Sequence, residues 1–352
     1  MTAPHANHFN LLRLVLAALV VVAHSPEMLD GHAGREPLMR LTGSSMTFGE
    51  LAVDGFFLLS GYLILRSWLA QPAALAFLSK RLLRIAPAYL LAAAVCIAVV
   101  GPLAAGPGYF SAFWLGGTAF SVLTLGEPVT PPVFAGTPYP VVNGAMWSLR
   151  YEFLCYLGAL ALGLAGLARR RAALAALAAA LLLLSTAARC GLLAAWDLAP
   201  GAAAGQLLRL SAFFAVGMLY GLCWPRPRWS LAWGALAALL LCMGMLHRAS
   251  AEAALLTCGA YLLFCGVHAH APWLAWAQRM PDASYGTYLY GWPAGKLLAW
   301  YWPGIGPGVL TVAALLLAYA CGLASWYLVE QPALGFKPRA APPELPAQPA
   351  AV

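Results

Sequence analysis

Residues 10–25 read NLLRLVLAALVVVAHS. This is a hydrophobic helix broken by two ionisable groups, Arg13 near its start and His24 near its end. Eleven residues separate them. At about 100° and 1.5 Å per residue, both fall within roughly 20° of one face, roughly 16 Å apart along the axis. An ionisable side chain in hydrocarbon is costly, and two on one stripe mark a protein-lined or water-lined path.

The rest of the chain repeats the apolar pattern. Of its 352 residues 62% are hydrophobic and only 9% charged, and its mean hydropathy is +0.77. Apolar segments run near 9–25, 47–69, 83–104, 144–166, 172–195, 206–224, 229–247, 252–270, 283–302 and 307–329. Each is close to the ~20 residues that cross a bilayer. The fold class expected is all-α, a polytopic transmembrane helix bundle of about ten spanning helices. The stretch 109–125 is short and Gly-interrupted, which suits a re-entrant or interfacial piece. Residues 1–335 read as a single transmembrane domain, and 336–352 as a disordered Pro/Ala-rich cytoplasmic tail.

The formal charge of +8 reflects sidedness and implies no nucleic acid. With the N-terminus inside, twelve cations fall in cytoplasmic loops and tail: Arg66, Lys80, Arg81, Arg84, Arg169, Arg170, Arg171, Arg226, Arg228, Arg279, Lys337 and Arg339. Five fall outside, Arg35, Arg40, Arg189, Arg209 and Arg248, and three within spans, Arg13, Arg150 and Lys296. This asymmetry favours N-in and C-in. No small-x-small cleavage pattern follows the first helix, so it does not read as a cleaved signal peptide. Eight cysteines form no CxxC pair, so neither a metal site nor a disulfide framework is indicated. The long outer loop 105–143 holds no Lys or Arg and is rich in Gly, Pro and aromatics, a composition that suits a lid or a carbohydrate-facing surface.

This topology sorts the intramembrane polar groups by depth. His24, Asp54, Glu152 and Lys296 are expected to converge on the outer half, with Arg13 toward the cytoplasm. Ser148 and Glu152 share a helix face, with Arg150 on another; Tyr285, Tyr288, Trp292 and Lys296 form one stripe, which Pro293 should kink. Taken singly, each has a plainer explanation. His24 can end a helix at the interface, Asp54 with Lys296 or Glu152 with Arg150 can be structural ion pairs, and Arg13 can snorkel. At the inner side FLSKRLLRIAPAY (77–89) clusters Lys80, Arg81 and Arg84, which suits either a phosphate site or simple positive-inside anchoring.

Together these motifs resemble the acyltransferase-3 family of integral-membrane acyltransferases, which O-acylate bacterial surface and exported glycans. Arg13 and His24 match the family's Arg and His on its first helix. VDGFFLLSGYLI (53–64), KRLLRIAPAY (80–89), NGAMWSLRYEFLCY (143–156), SYGTYLYGWP (284–293) and VEQP (329–332) follow in the family's order across about residues 8–335. One position departs: Gly291 stands where the family often carries a second His.

The resemblance implies a bacterial inner-membrane enzyme that takes an acyl group, most often acetyl, from cytoplasmic acyl-CoA to a glycan or other hydroxyl acceptor, without a metal. Arg66, Lys80, Arg81 and Arg84, with Arg13, are then the expected contacts of acetyl-CoA. The pantetheine arm is of the order of the Arg13–His24 gap. His24 is the expected general base, oriented by Glu152 or Asp54, and an acyl-histidine is the variant in which it is the nucleophile. Trp147, Ser148, Arg150, Tyr285, Tyr288 and Lys296 are the expected acceptor contacts. The rival class is a secondary transporter or flippase; against it, the sequence has no inverted repeat and no paired broken helices.

Overall fold

The computed structural model describes residues 8–43, 45–196, 198–199, 201–224, 230–269 and 272–337. Arg226, Arg228, Arg339 and the tail from residue 338 lie outside them. The apolar segments form helices: α1 (Phe9–Asp30), α2 (Phe48–Ala70), α3 (Ala74–Ala105), the short α4 (Leu115–Leu123), α5 (Leu149–Leu164), α6 (Arg171–Arg189), α7 (Ala203–Cys223), α8 (Leu231–Met245), α9 (Arg248–His268), α10 (Ser284–Tyr301) and α11 (Pro307–Gly335). No strand occurs among the described residues. Seven of these helices are long and apolar enough to cross a membrane: α1, α2, α3, α6, α7, α9 and α11. The shorter α5, α8 and α10 occupy the other three expected segments. At nine residues α4 cannot cross a bilayer. The chain returns along it, with Val129 donating to Ser121 Oγ and Thr118 donating to the Val129 carbonyl. The helical bundle is therefore the one expected.

Two boundaries differ from the sequence expectation in ways that matter for the site. α1 does not stop at Ser25 but continues through Pro26 to Asp30, where Gly31 donates to the Glu27 carbonyl. The extra turn places Glu27 above His24. α3 begins at Ala74 rather than near 83, so the basic run 80–84 is helical and presents its cations at fixed angles.

α1 packs on α10 and α2, α2 on α7, α7 on α6, and α10 on α11. The α2–α7 contact is backbone on backbone. A Cβ at Gly61 would lie 2.0 Å from the Phe214 carbonyl oxygen, and one at Gly217 would lie 2.1 Å from that of Leu58. Helix association in lipid relies on such close approach. Gly61→Ala is expected to destabilise the protein by about 1–3 kcal/mol, because both obstacles are main chain. Thermal unfolding in detergent reads this, and an unchanged midpoint would show that the helices part freely.

Across this interface Asp54 and Arg209 form an ion pair, Arg209 Nη1 lying 3.2 Å from Asp54. Both are buried. This corrects two expectations. Arg209 is not an outer-loop cation but lies inside α7, and Asp54 is committed to it rather than to His24.

Candidate active site

Five helices, α1, α2, α3, α5 and α10, enclose a cavity of about 100 Å³. Its basic end is built by Arg13, Arg81 and Arg84. Arg13 Nη1 and Arg84 Nη2 both donate to Asp282 Oδ2, at 3.3 and 2.7 Å. Asp282 is held from its other oxygen by Ser284 Oγ at 2.6 Å. Burial alone would raise the Asp282 carboxyl, but Arg84 and then Arg13 outweigh it and hold the group below its ordinary range. Glu330 adds a more distant carboxylate, 3.8 Å from Arg84 Nη1. It ends a π-turn in α11, Trp326–Glu330, and accepts from Ser325 Oγ at 3.0 Å. Arg81 donates to Ser67 Oγ at 3.0 Å. One Asp thus locks two guanidinia together, and three cations face one small space.

The middle of the cavity carries Glu152. Its Oε1 accepts from Ser60 Oγ at 3.1 Å and from the Tyr156 hydroxyl. It has no ion pair among the described residues. Toward the far end Ser148 Oγ and Tyr288 Oη share a hydrogen bond of 2.8 Å, whereas Tyr285, next to the basic end, donates from Oη to the Ile85 carbonyl at 3.3 Å. Ser148 and Glu152 do face together, as their spacing requires.

His24 lies beyond this cavity and does not line it. Its Nδ1 is 2.9 Å from Glu27 Oε2, and its ring stands edge-on to Trp292, centroids 4.9 Å apart. Trp292 follows Tyr288, which lines the cavity, by one turn of α10, a rise of about 6 Å. Trp292 Nε1 donates to the Val141 carbonyl at 3.4 Å. The close packing here accounts for Gly291: a Cβ at that position would come within 2.5 Å of Val21 Cγ2 on α1. A larger residue would push α1, and His24 with it, off α10.

The expected orientation of His24 by Glu152 or Asp54 is therefore corrected. Neither Asp54 nor Glu152 orients it; Glu27 does. Lys296 donates to Thr137 Oγ1 at 2.8 Å and to the Pro138 carbonyl at 2.7 Å, tying the loop 126–143 to α10 rather than facing the cavity. Arg150 points to the other side of α5 and lines a separate cleft. Trp147 packs edge-on to Tyr151. Of the basic run, Arg81 and Arg84 reach the cavity, whereas Lys80 donates to Gln71 Oε1 and Arg66 lies over the Tyr62 ring, 5.7 Å from its centroid. Sequence reasoning missed Glu27, Ser60, Tyr156 and Asp282. Glu27 and Tyr156 were legible as i+3 and i+4 partners of His24 and Glu152. Asp282 meets Arg84 across 198 residues, and no local pattern reveals that.

The family model of the acyltransferase-3 domain, described as an acyltransferase domain, matches residues 7–330. The chain belongs to that family. Among curated relatives of this acyltransferase-3 protein are nodulation protein 10 of Rhizobium leguminosarum bv. viciae and the O-acetyl transferase of Shigella phage Sf6. The first is 34% identical over 163 residues, 44% of this chain and 43% of that protein. The second is 31% identical over 154 residues, 43% of this chain and 44% of that protein. The matched stretches span less than half the length of either relative. No solved structure matches the chain.

Proposed function

We propose that this acyltransferase-3 protein is a membrane O-acyltransferase that moves an acyl group, acetyl in the first instance, from cytoplasmic acyl-CoA to a hydroxyl of a surface or exported glycan. The observation that carries this reading is a cavity with Arg13, Arg81 and Arg84 at one end, and His24 three turns further along the helix that carries Arg13. The O-acetyl transferase relative supports acetyl as the group and oxygen as its acceptor. The loop charges support an inside position for the basic end, and the bacterial source of the nodulation protein 10 relative supports the inner membrane of a bacterium as the location.

The donor fits this charge pattern. Its nucleotide end is multiply anionic, and guanidinia bind phosphate through paired, charge-assisted hydrogen bonds. Arg81 and Arg84 would take that end, with Arg13 flanking the uncharged arm as it enters. Asp282 keeps the two guanidinia it binds in place before the donor arrives. Ser148 and Tyr288 form a relay near the far end, Ser148 donating to the Tyr288 hydroxyl and Tyr288 donating to the Ala145 carbonyl.

His24 Nδ1–H donates to Glu27 in this reading, which leaves Nε2 as the acceptor. Nε2 takes the proton of the attacking hydroxyl, whose oxygen bonds to the thioester carbonyl carbon. The C–S bond breaks, the sulfur leaves with its electron pair, and the imidazolium returns the proton to it. Glu27 stabilises the imidazolium meanwhile, the role a carboxylate plays toward a catalytic histidine. The general-base route is preferred to an acyl-histidine because it needs no second acyl transfer.

Purified full-length protein in vesicles, given acetyl-CoA labelled on the acetyl group, is expected to transfer label to glycan acceptor. Mass spectrometry of surface glycans from cells with and without the chain identifies that acceptor. Transport of a solute with no transfer of label would replace this reading with a transporter. Arg84→Ala should raise the apparent acetyl-CoA requirement roughly 10- to 100-fold, the worth of a charged hydrogen bond. Unchanged donor affinity would remove the basic end from the donor site.

A further inference from the structure

A second cleft, of about 450 Å³, opens between α3, the end of α4 and α5. Leu82 and Leu90 from α3, Leu123 from α4, and Phe153 and Leu154 from α5 form its apolar walls. Leu82, Leu90, Leu123 and Leu154 are exposed at its rim, as a wall open to lipid requires. One charge lies inside it, Arg150.

Arg150 differs from the cations of the cavity and the helix interfaces. Arg13 and Arg84 rest on Asp282, Arg209 on Asp54, Arg81 on Ser67, Lys296 on Thr137, and Arg66 over the Tyr62 ring. Among the described residues Arg150 makes no hydrogen bond, ion pair or ring contact. It is the second residue of α5 and is exposed beside the apolar walls of the cleft. A guanidinium without a protein partner against a lipid-facing wall is stabilised when an anion joins it. The fold also keeps room for that guanidinium. The turn beside it is held by Tyr89 Oη donating to the Gly126 carbonyl at 2.6 Å. A Cβ at Gly126 would come within 2.5 Å of Arg150 Nη2.

We propose that this lateral cleft binds an anionic phospholipid, its phosphate paired with Arg150 and its acyl chains lying along Leu82, Leu90, Phe153 and Leu154. The guanidinium fork matches phosphate oxygens, and the sideways-opening apolar walls match acyl chains rather than a soluble anion. Arg150 sits on the opposite face of α5 from Glu152, so the bound lipid braces the helix that carries Leu149, Glu152 and Tyr156 of the cavity. The site is independent of the transfer chemistry.

The full chain, reconstituted in phosphatidylcholine vesicles with and without phosphatidylglycerol, tests this by native mass spectrometry of the lipid it retains. Wild type is expected to keep one phosphatidylglycerol in preference to phosphatidylcholine. Arg150→Gln should weaken that retention roughly tenfold or more, the loss of one charged pairing. Leu154→Trp, which fills the cleft and leaves the charge, should weaken it as well. Equal retention of both lipids by wild type, or undiminished retention by either variant, overturns the proposal. Should a variant fail to fold, spin-labelled lipids decide on wild type alone. A larger immobilised fraction for phosphatidylglycerol than for phosphatidylcholine supports the site, and equal fractions overturn it.

Discussion

His24→Ala is expected to lower transfer of labelled acetyl by roughly 10²- to 10⁴-fold, the range of a general base. Donor binding should survive, because the Arg13–Arg84–Asp282 cluster lies roughly 16 Å away along α1 and shares no partner with His24. Glu27→Gln should cost less, since an amide still contacts Nδ1 but cannot stabilise an imidazolium. The informative comparison is with Glu152→Gln, whose carboxylate lies inside the cavity and accepts from Ser60 and Tyr156. If Glu152→Gln is inactive while His24→Ala transfers normally, the base sits in the cavity and the mechanism proposed for His24 is wrong. Labelled transfer and equilibrium binding of acetyl-CoA, measured on the same preparations, separate these outcomes.

Asp54→Ala is expected to destabilise the protein by about 3–5 kcal/mol, because it leaves the Arg209 guanidinium buried without its counter-charge. Asp54 is wholly buried and Arg209 nearly so, between helices whose backbones touch, leaving little room for water to compensate. Removing both charges should be far milder, since apolar replacement of a buried pair is often neutral or stabilising. The double variant Asp54→Leu/Arg209→Met therefore separates structure from chemistry. Recovered thermal stability together with recovered transfer marks the pair as structural. Recovered stability without transfer would return Asp54 to the catalytic set from which its ion pair removes it.

Much of the site was legible, and the rest fails for identifiable reasons. Periodicity puts Ser148 with Glu152 and Tyr285 with Tyr288, and all four line the cavity. The same reasoning cannot say which helix a buried charge meets. Asp54, Glu152, His24 and Lys296 were expected to gather at one depth. Arg209, Tyr156, Glu27 and Thr137 claim them instead. Intramembrane polar groups take the nearest partner because none can rely on water, and that partner depends on helix rotation and neighbour identity. For Lys296 the partner is a loop, whose path no helical pattern encodes.

The opening helix shows where the division falls. Its sequence determined that residues 10–25 are a membrane helix with Arg13 and His24 on one stripe, because the helical repeat is a property of the backbone alone. Its motifs likewise placed the chain in the acyltransferase-3 family, through residue types in order. Only the tertiary structure decided that Arg13 shares Asp282 with Arg84, that the His24 ring packs edge-on to Trp292, and that Glu27 rather than a distant carboxylate faces the imidazole. Those outcomes turn on how closely α1 approaches α10, which Gly291 permits, and on one further helical turn past Pro26. Packing distances and helix ends of this kind follow from the balance of contacts across the whole bundle.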